Sequence, residues 1–172
     1  MTSAAGRIRT DRVVLTPLSV DDATAMVEVL GDPALYTFTG GERPTLDVLT
    51  ARYASQLAGS NRPDEAWHNW IVRLQPDDVP VGFMQATVVG PTAEIAWVIG
   101  THWQRRGLAR EAVRAMAGWL RAQGTQRLTA HIHPEHVASE RVAAAVGLTV
   151  TDEVDADGER LWATPPAPAA VR

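Results

Sequence analysis

An apolar run over residues 95–99 is followed by Gln104-Arg105-Arg106-Gly107-Leu108-Ala109. The order reads as a strand, a basic glycine-bearing turn, and a helix over about 109–123. This order restricts the fold more than any other feature, because it points a helix N-terminus out of the end of a strand. The first turn of a helix carries N–H groups without intrahelical partners, and the macrodipole adds partial positive charge there. Such a terminus is an anion site. Gly107 lets backbone approach a ligand, Ala109 leaves the helix start unobstructed, and Arg105 and Arg106 add charge suited to a pyrophosphate.

Two common phosphate loops do not fit. A nucleoside-triphosphate loop needs Gly-Lys-Ser/Thr, which is absent. A dinucleotide fingerprint needs Gly-x-Gly-x-x-Gly early in a βαβ unit. Here a single glycine falls past mid-chain.

The 172 residues suit one domain over 1–172, with a core over about 7–163 and a loose tail over 165–172. The net charge of −4 argues against a general nucleic-acid binder. Local basicity still exists at Arg105, Arg106, Arg110 and Arg114. The chain has no cysteine, which excludes thiolate metal sites and a cysteine nucleophile. Arg7, Arg9, Asp11 and Arg12 interrupt any leader-like apolar core, and no stretch approaches the ~20 apolar residues of a membrane span. The expectation is a cytoplasmic protein without membrane or nucleic-acid partners, as a monomer or homodimer.

Periodicity places strands at 7–18, 66–74, 80–89, 92–99 and 127–133, with a closing hairpin over 148–154 and 159–164. Helices fall at 20–30, behind Ser19, and at 46–58, behind Thr45. A loop over 35–44 separates them. A further helix over 137–146 stops at Gly147. Residues 1–6 read as frayed. The expected class is α/β (α+β), with helices on both faces of a mixed sheet.

The glycine turn resembles the coenzyme A pyrophosphate loop of the GNAT N-acetyltransferases. Residues 7–18 look like that family's opening strand, and 133–148 resemble its Asn-x-x-Ser, helix and Gly-Phe segment. His136 stands in place of Asn, and Leu148 in place of Phe. Order and spacing fit the RimJ/RimL-like branch, whose members acetylate ribosomal-protein N-termini and also modify small amines, antibiotics and amino acids. The resemblance implies a mostly antiparallel central sheet, splayed where acetyl-CoA binds. Coenzyme contacts are then expected from Trp97, Val98 and Ile99, from Gln104, Arg105, Arg106, Gly107, Leu108, Ala109 and Arg110, and from His136 and Ser139.

For the chemistry, the resemblance points to Glu94 as a base acting through water, and as a contact for the substrate amine. Ser139 is the candidate acid for the leaving thiolate. Tyr36 and Phe38 are candidate substrate contacts, because the loop after the first helix lies near the acceptor in similar enzymes. Each residue also has a plainer reading: a solvated Glu94, a helix-capping Ser139, a surface His136. Glu111 reads as a helix charge pair. His131, His133 and His136 invite a metal reading, but no acidic ligand is fixed by spacing, so none is expected. Of the six tryptophans, Trp70, Trp119 and Trp162 read as core, and Trp97 and Trp103 abut the loop.

The leading reading is an acetyl-CoA-dependent N-acetyltransferase acting on a protein N-terminal α-amine or a small-molecule amine. The alternatives are a non-catalytic acyl-CoA sensor and a ligand-free interaction domain. Freeing a lysine amine at neutral pH costs about 3 kcal/mol more than freeing an α-amine, so a weak base suits the α-amine.

Overall fold

The structure is a computed structural model that describes residues 5–166. Much of the expected tail, and residues 1–4 of the expected frayed start, lie outside the described residues. Eight strands form one sheet in the order β1-β2-β3-β4-β5-β6-β8-β7. They are β1 (Ile8–Arg9), β2 (Val13–Pro17), β3 (Glu65–Leu74), β4 (Val79–Val89), β5 (Thr92–Ile99), β6 (Arg127–Ile132), β7 (Thr149–Val154) and β8 (Arg160–Ala163). Every neighbouring pair is antiparallel except β5 and β6. The helices are α1 (Ala23–Val29), α2 (Leu46–Ala58), α3 (Leu108–Ala122) and α4 (Val137–Ala145). None among the described residues is long and apolar enough to cross a membrane.

Alternation along the strands divides the core in two. Val13, Leu15, Trp70, Val72 and Met84 meet α3 and α4 on one face. Ile71 and, less deeply, Phe83 and Val98 meet α1 and α2 on the other. Helix α3 has the one-sided spacing this demands, burying Leu108, Ala112, Val113, Met116, Ala117 and Leu120. Trp119 meets Trp70 edge-on at 5.4 Å, and the Trp70 indole N–H donates to the Gly6 carbonyl at 2.8 Å. Trp162 also packs against this core, so the core reading of these three tryptophans holds.

Three boundaries differ from expectation. The opening strand is two short strands, paired Ile8 with Leu15, because the chain turns at residues 10–12. The helix behind Ser19 opens as a 3-10 turn, Val20–Asp22, before α1. Asp22 closes that turn by accepting the Ser19 N–H at 2.8 Å and by pairing with Arg73. The loop over 35–44 likewise begins inside a 3-10 turn, Pro33–Tyr36, capped by Asp32. The caps expected at Thr45 and Gly147 are present: Thr45 accepts from Val48, and Gly147 has φ 89°.

Candidate active site

Strands β5 and β6 share a register only at Thr92, Ala93 and Glu94, opposite Arg127, Leu128 and Thr129. Beyond Glu94, β5 stays paired with β4 through Ile99, while β6 pairs with β8. The two parallel strands therefore part into a V. The edge of β5 facing the V has no strand partner over residues 95–99 among the described residues. Gly82 lets β4 and β5 close up beside the V, since a Cβ there would lie 2.1 Å from the Val98 carbonyl oxygen.

The unpaired edge leads to the glycine loop. Arg105 and Gly107 both adopt left-handed backbone, at φ 63° and 76°. Such a bend turns successive N–H groups to one side, the form of an anion nest. Helix α3 starts at Leu108 with no side-chain cap. Its first helical bond comes from Glu111 N–H to the Gly107 carbonyl, so the N–H groups of Leu108, Ala109 and Arg110 have no acceptor within the helix. Arg105, Arg106 and Arg110 are exposed and form no ion pair among the described residues.

Glu111 faces away from this opening. It accepts from Thr10 Oγ1 at 2.6 Å, from the Arg12 backbone at 2.9 Å and from Arg12 Nε at 2.6 Å. Arg12 also donates through Nη1 to the Arg106 carbonyl at 2.7 Å. The turn between β1 and β2 thus clamps the loop. Burial pushes the Glu111 carboxyl up, but the bonds from Thr10 and Arg12 outweigh it and hold it below the usual range. Arg12 was invisible to sequence reasoning, because its partner lies 99 positions away.

On the α1 and α2 face, Glu94 is exposed and its Oε1 lies 3.3 Å from His131 Nδ1. Sequence reading found both residues but not their pairing, since the V places them together across two strands. At the end of β6, Phe38 lies edge-on to His136 at 4.7 Å and 5.4 Å from His133. The loop after α1 therefore touches the turn before α4. Tyr36 turns inward, its hydroxyl donating to the Leu30 carbonyl at 2.8 Å. A cavity of about 100 Å³ lies beneath α2, lined in part by Tyr53, Asn69 and Gln85. The polar Asn69 and Gln85, on strands facing an apolar layer, were a signal that sequence reading passed over.

Several expected side-chain contacts change. His136 is the cap of α4, its Nδ1 accepting the Ser139 N–H at 3.0 Å, so that nitrogen is already engaged. Capping therefore falls to His136, and the Ser139 hydroxyl makes no hydrogen bond among the described residues. Leu108 is 2% exposed and sits in the core, leaving only its backbone to meet a ligand. Ile99 is buried as well, and its carbonyl accepts from the Gln104 side chain at 2.9 Å, which closes the loop. Trp97 and Trp103 pack against the core while half-buried. Among the described residues, no group of three or more His, Asp or Glu could hold a metal ion.

Residues 12–149 match the family profile described as Acetyltransferase (GNAT) domain, and the chain belongs to that family. The chain is thus a GNAT-family N-acetyltransferase. The chain is 25% identical over 144 residues to YnaD of Bacillus subtilis (strain 168), an uncharacterized N-acetyltransferase, covering 82% of this chain and 81% of that protein. A GNAT acetyltransferase from Bacillus anthracis superposes with a TM-score of 0.75 at 20% identity, over 92% of this chain and 97% of that one. A putative ribosomal-protein-serine acetyltransferase from Vibrio cholerae gives 0.76 at 17% identity, over 96% and 100%. AAC(6')-Ib in complex with an aminoglycoside and acetyl-CoA gives 0.75 at 21% identity, over 90% and 93%. At these identities the structures show a shared fold.

Two outcomes follow. Gly107→Glu puts a negative charge and a strained left-handed residue at the bare helix start, and calorimetry is expected to show loss of coenzyme A binding. Gly107→Asn, which tolerates that backbone, should retain it; unchanged affinity in a folded Gly107→Glu protein would exclude the loop as the site. For the clamp, a carboxyl held low stabilises fully above its unfolded pKa of about 4.3 and less as pH falls through its folded value. Glu111→Gln should therefore flatten the acid limb of the stability-versus-pH curve, and an unaltered limb would show that the clamp contributes nothing there.

Proposed function

We propose that this acetyltransferase moves the acetyl group of acetyl-CoA directly to a primary amine, either a protein N-terminal α-amine or a small-molecule amine, in the manner of the RimJ/RimL-like branch. The observation that carries this is the end of β5–β6 pairing at Glu94. It sets a carboxylate at the apex of the V, and an unpaired strand edge runs from there to the bare start of α3. The Vibrio cholerae neighbour, named for a ribosomal protein, supports the N-terminal acceptor. The AAC(6')-Ib neighbour, bound to an aminoglycoside, supports the small amine.

Acetyl-CoA supplies an activated thioester carbonyl. The nest, the N–H groups of Leu108, Ala109 and Arg110, and the charges of Arg105, Arg106 and Arg110 suit its pyrophosphate. The backbone edge at Trp97, Val98 and Ile99 suits the amide-bearing arm. With no cysteine in the chain, the acceptor nitrogen attacks the thioester carbon itself, the carbon–sulfur bond breaks, and the thiolate takes a proton. Glu94, paired with His131, receives the amine proton through water. Ser139 Oγ, free of protein partners among the described residues, donates to the sulfur. Phe38 flanks the acceptor, and Tyr36, its hydroxyl bound to the Leu30 carbonyl, holds the loop that carries it. Positioning carries most of the rate in such a reaction, with each proton transfer adding to it.

Glu94→Gln is expected to slow turnover at neutral pH within the ~10²–10⁴-fold range of general base catalysis, with partial recovery at high pH where free amine is already present. A pH–rate profile left in place would remove Glu94 from the mechanism. Because His136 holds the cap, Ser139→Ala should keep its melting temperature while the chemical step slows. His136→Ala should lose about 0.5–2 kcal/mol of stability. Normal kcat and KM for acetyl-CoA in Ser139→Ala would show that the hydroxyl takes no part.

A further inference from the structure

The cavity beneath α2 bears on which amine is taken. Its apolar walls are Leu18, Leu30, Leu49 and Phe83, and its polar lining includes Arg52, Tyr53, Asn69 and Gln85. At about 100 Å³ it is large enough to receive a small apolar side chain.

Three observations describe its chemistry. First, no carboxylate lines it. The acid nearest in effect, Asp22, is occupied by Arg73 and the Ser19 N–H. Arg52 is exposed at the rim and forms no ion pair among the described residues. Arg52 lines the same cavity as its neighbour Tyr53; burial pushes the hydroxyls of Tyr36 and Tyr53 up in pKa, and the Arg52 charge acts on both in the opposite sense. Second, Tyr53 is 4% exposed, and its buried hydroxyl has no hydrogen-bond partner among the described residues. A buried hydroxyl without a partner is costly, and a ligand oxygen in the cavity would supply one. Third, Gln85 Nε2 donates to Asn69 Oδ1 at 3.0 Å, leaving the Asn69 amide hydrogens and the Gln85 oxygen without protein partners among the described residues.

The site is also within reach of the V. Asn69, Gln85 and Ala96 lie in one cross-strand row, and Glu94 is the next same-face position along β5 from Ala96, about 7 Å away.

We propose that the acceptor is a small α-amino acid with an apolar side chain, its carboxylate held by Arg52 and the Tyr53 hydroxyl, its side chain among Leu18, Leu30, Leu49 and Phe83, and its amine turned toward Glu94. This rests on the acetyl-transfer reading above and narrows its acceptor. A polycationic amine meets the opposite conditions: a like charge at the rim and no acid in the lining. The covalent step is the one already given, nitrogen displacing thiolate with loss of one amine proton.

The test is release of free thiol from acetyl-CoA with leucine, leucinamide, leucyl-glycine and ribostamycin as acceptors. The amine of leucinamide is the less basic, so a preference for leucine cannot arise from a larger free-base fraction. Leucine is expected to exceed leucinamide in kcat/KM by at least about tenfold, the scale of one charge-assisted contact. Arg52→Gln keeps a good helix former at an exposed position, so the fold is retained. It should lower kcat/KM for leucine more than for leucinamide and so erase the preference. Tyr53→Phe should raise KM for leucine more than for leucinamide. Leucinamide or ribostamycin equalling leucine, or Arg52→Gln slowing every acceptor alike, overturns the amino-acid acceptor and leaves acetyl transfer standing. No thiol release with any of the four amines, despite acetyl-CoA binding by calorimetry, overturns both.

Discussion

The structure depends on where one parallel strand pair stops. Two strands that stayed bonded along their length would satisfy each other's N–H and C=O groups and leave nothing for a ligand. Here β5 and β6 separate after Glu94 and Thr129, and each remains fixed by its other neighbour. Both arms of the opening are therefore held within the sheet. Its polar backbone edge is the counterpart of an extended, amide-bearing chain, in the same way that an edge strand receives a peptide.

A second constraint holds the end of that edge. The loop at residues 104–107 contains Arg105 in a left-handed conformation that a non-glycine residue adopts only at some cost. Arg12 and Glu111 hold it from behind, one grasping the Arg106 carbonyl and the other the β1–β2 turn. Because Glu111 spends its charge on Arg12 and Thr10, its carboxylate does not cancel the positive end of α3. The same residue thus anchors the helix and leaves the helix start electropositive.

Much of this was legible in the chain. Thr45 before an amphipathic run and Gly147 after another marked helix ends, because those residues satisfy local geometry that sequence neighbours dictate. The strand, basic turn and helix order around Gly107 was equally local. What stayed hidden depended on distant partners. The opening strand broke in two because residues 10–12 turn to reach Glu111, a contact between segments that share no pattern. Capping was the plainer reading of Ser139, but the cap is His136, whose imidazole accepts the Ser139 N–H. Leu108 looked like part of a ligand loop, yet helical phase carries its side chain into the core. The Glu94–His131 pair and the lining of the cavity both arise from strand register, which one-dimensional alternation does not report.

The uncapped start of α3 ties folding to ligand supply. Most helices satisfy their first N–H groups with a side chain from their own N-terminus, and so carry their stability with them. This one leaves three donors for an anion to complete. Occupancy and folding are then linked by mass action: a ligand present at a hundredfold excess over its Kd adds about 2.7 kcal/mol to the folded state. For coenzyme bound there, as proposed above, the folded population would rise with coenzyme concentration.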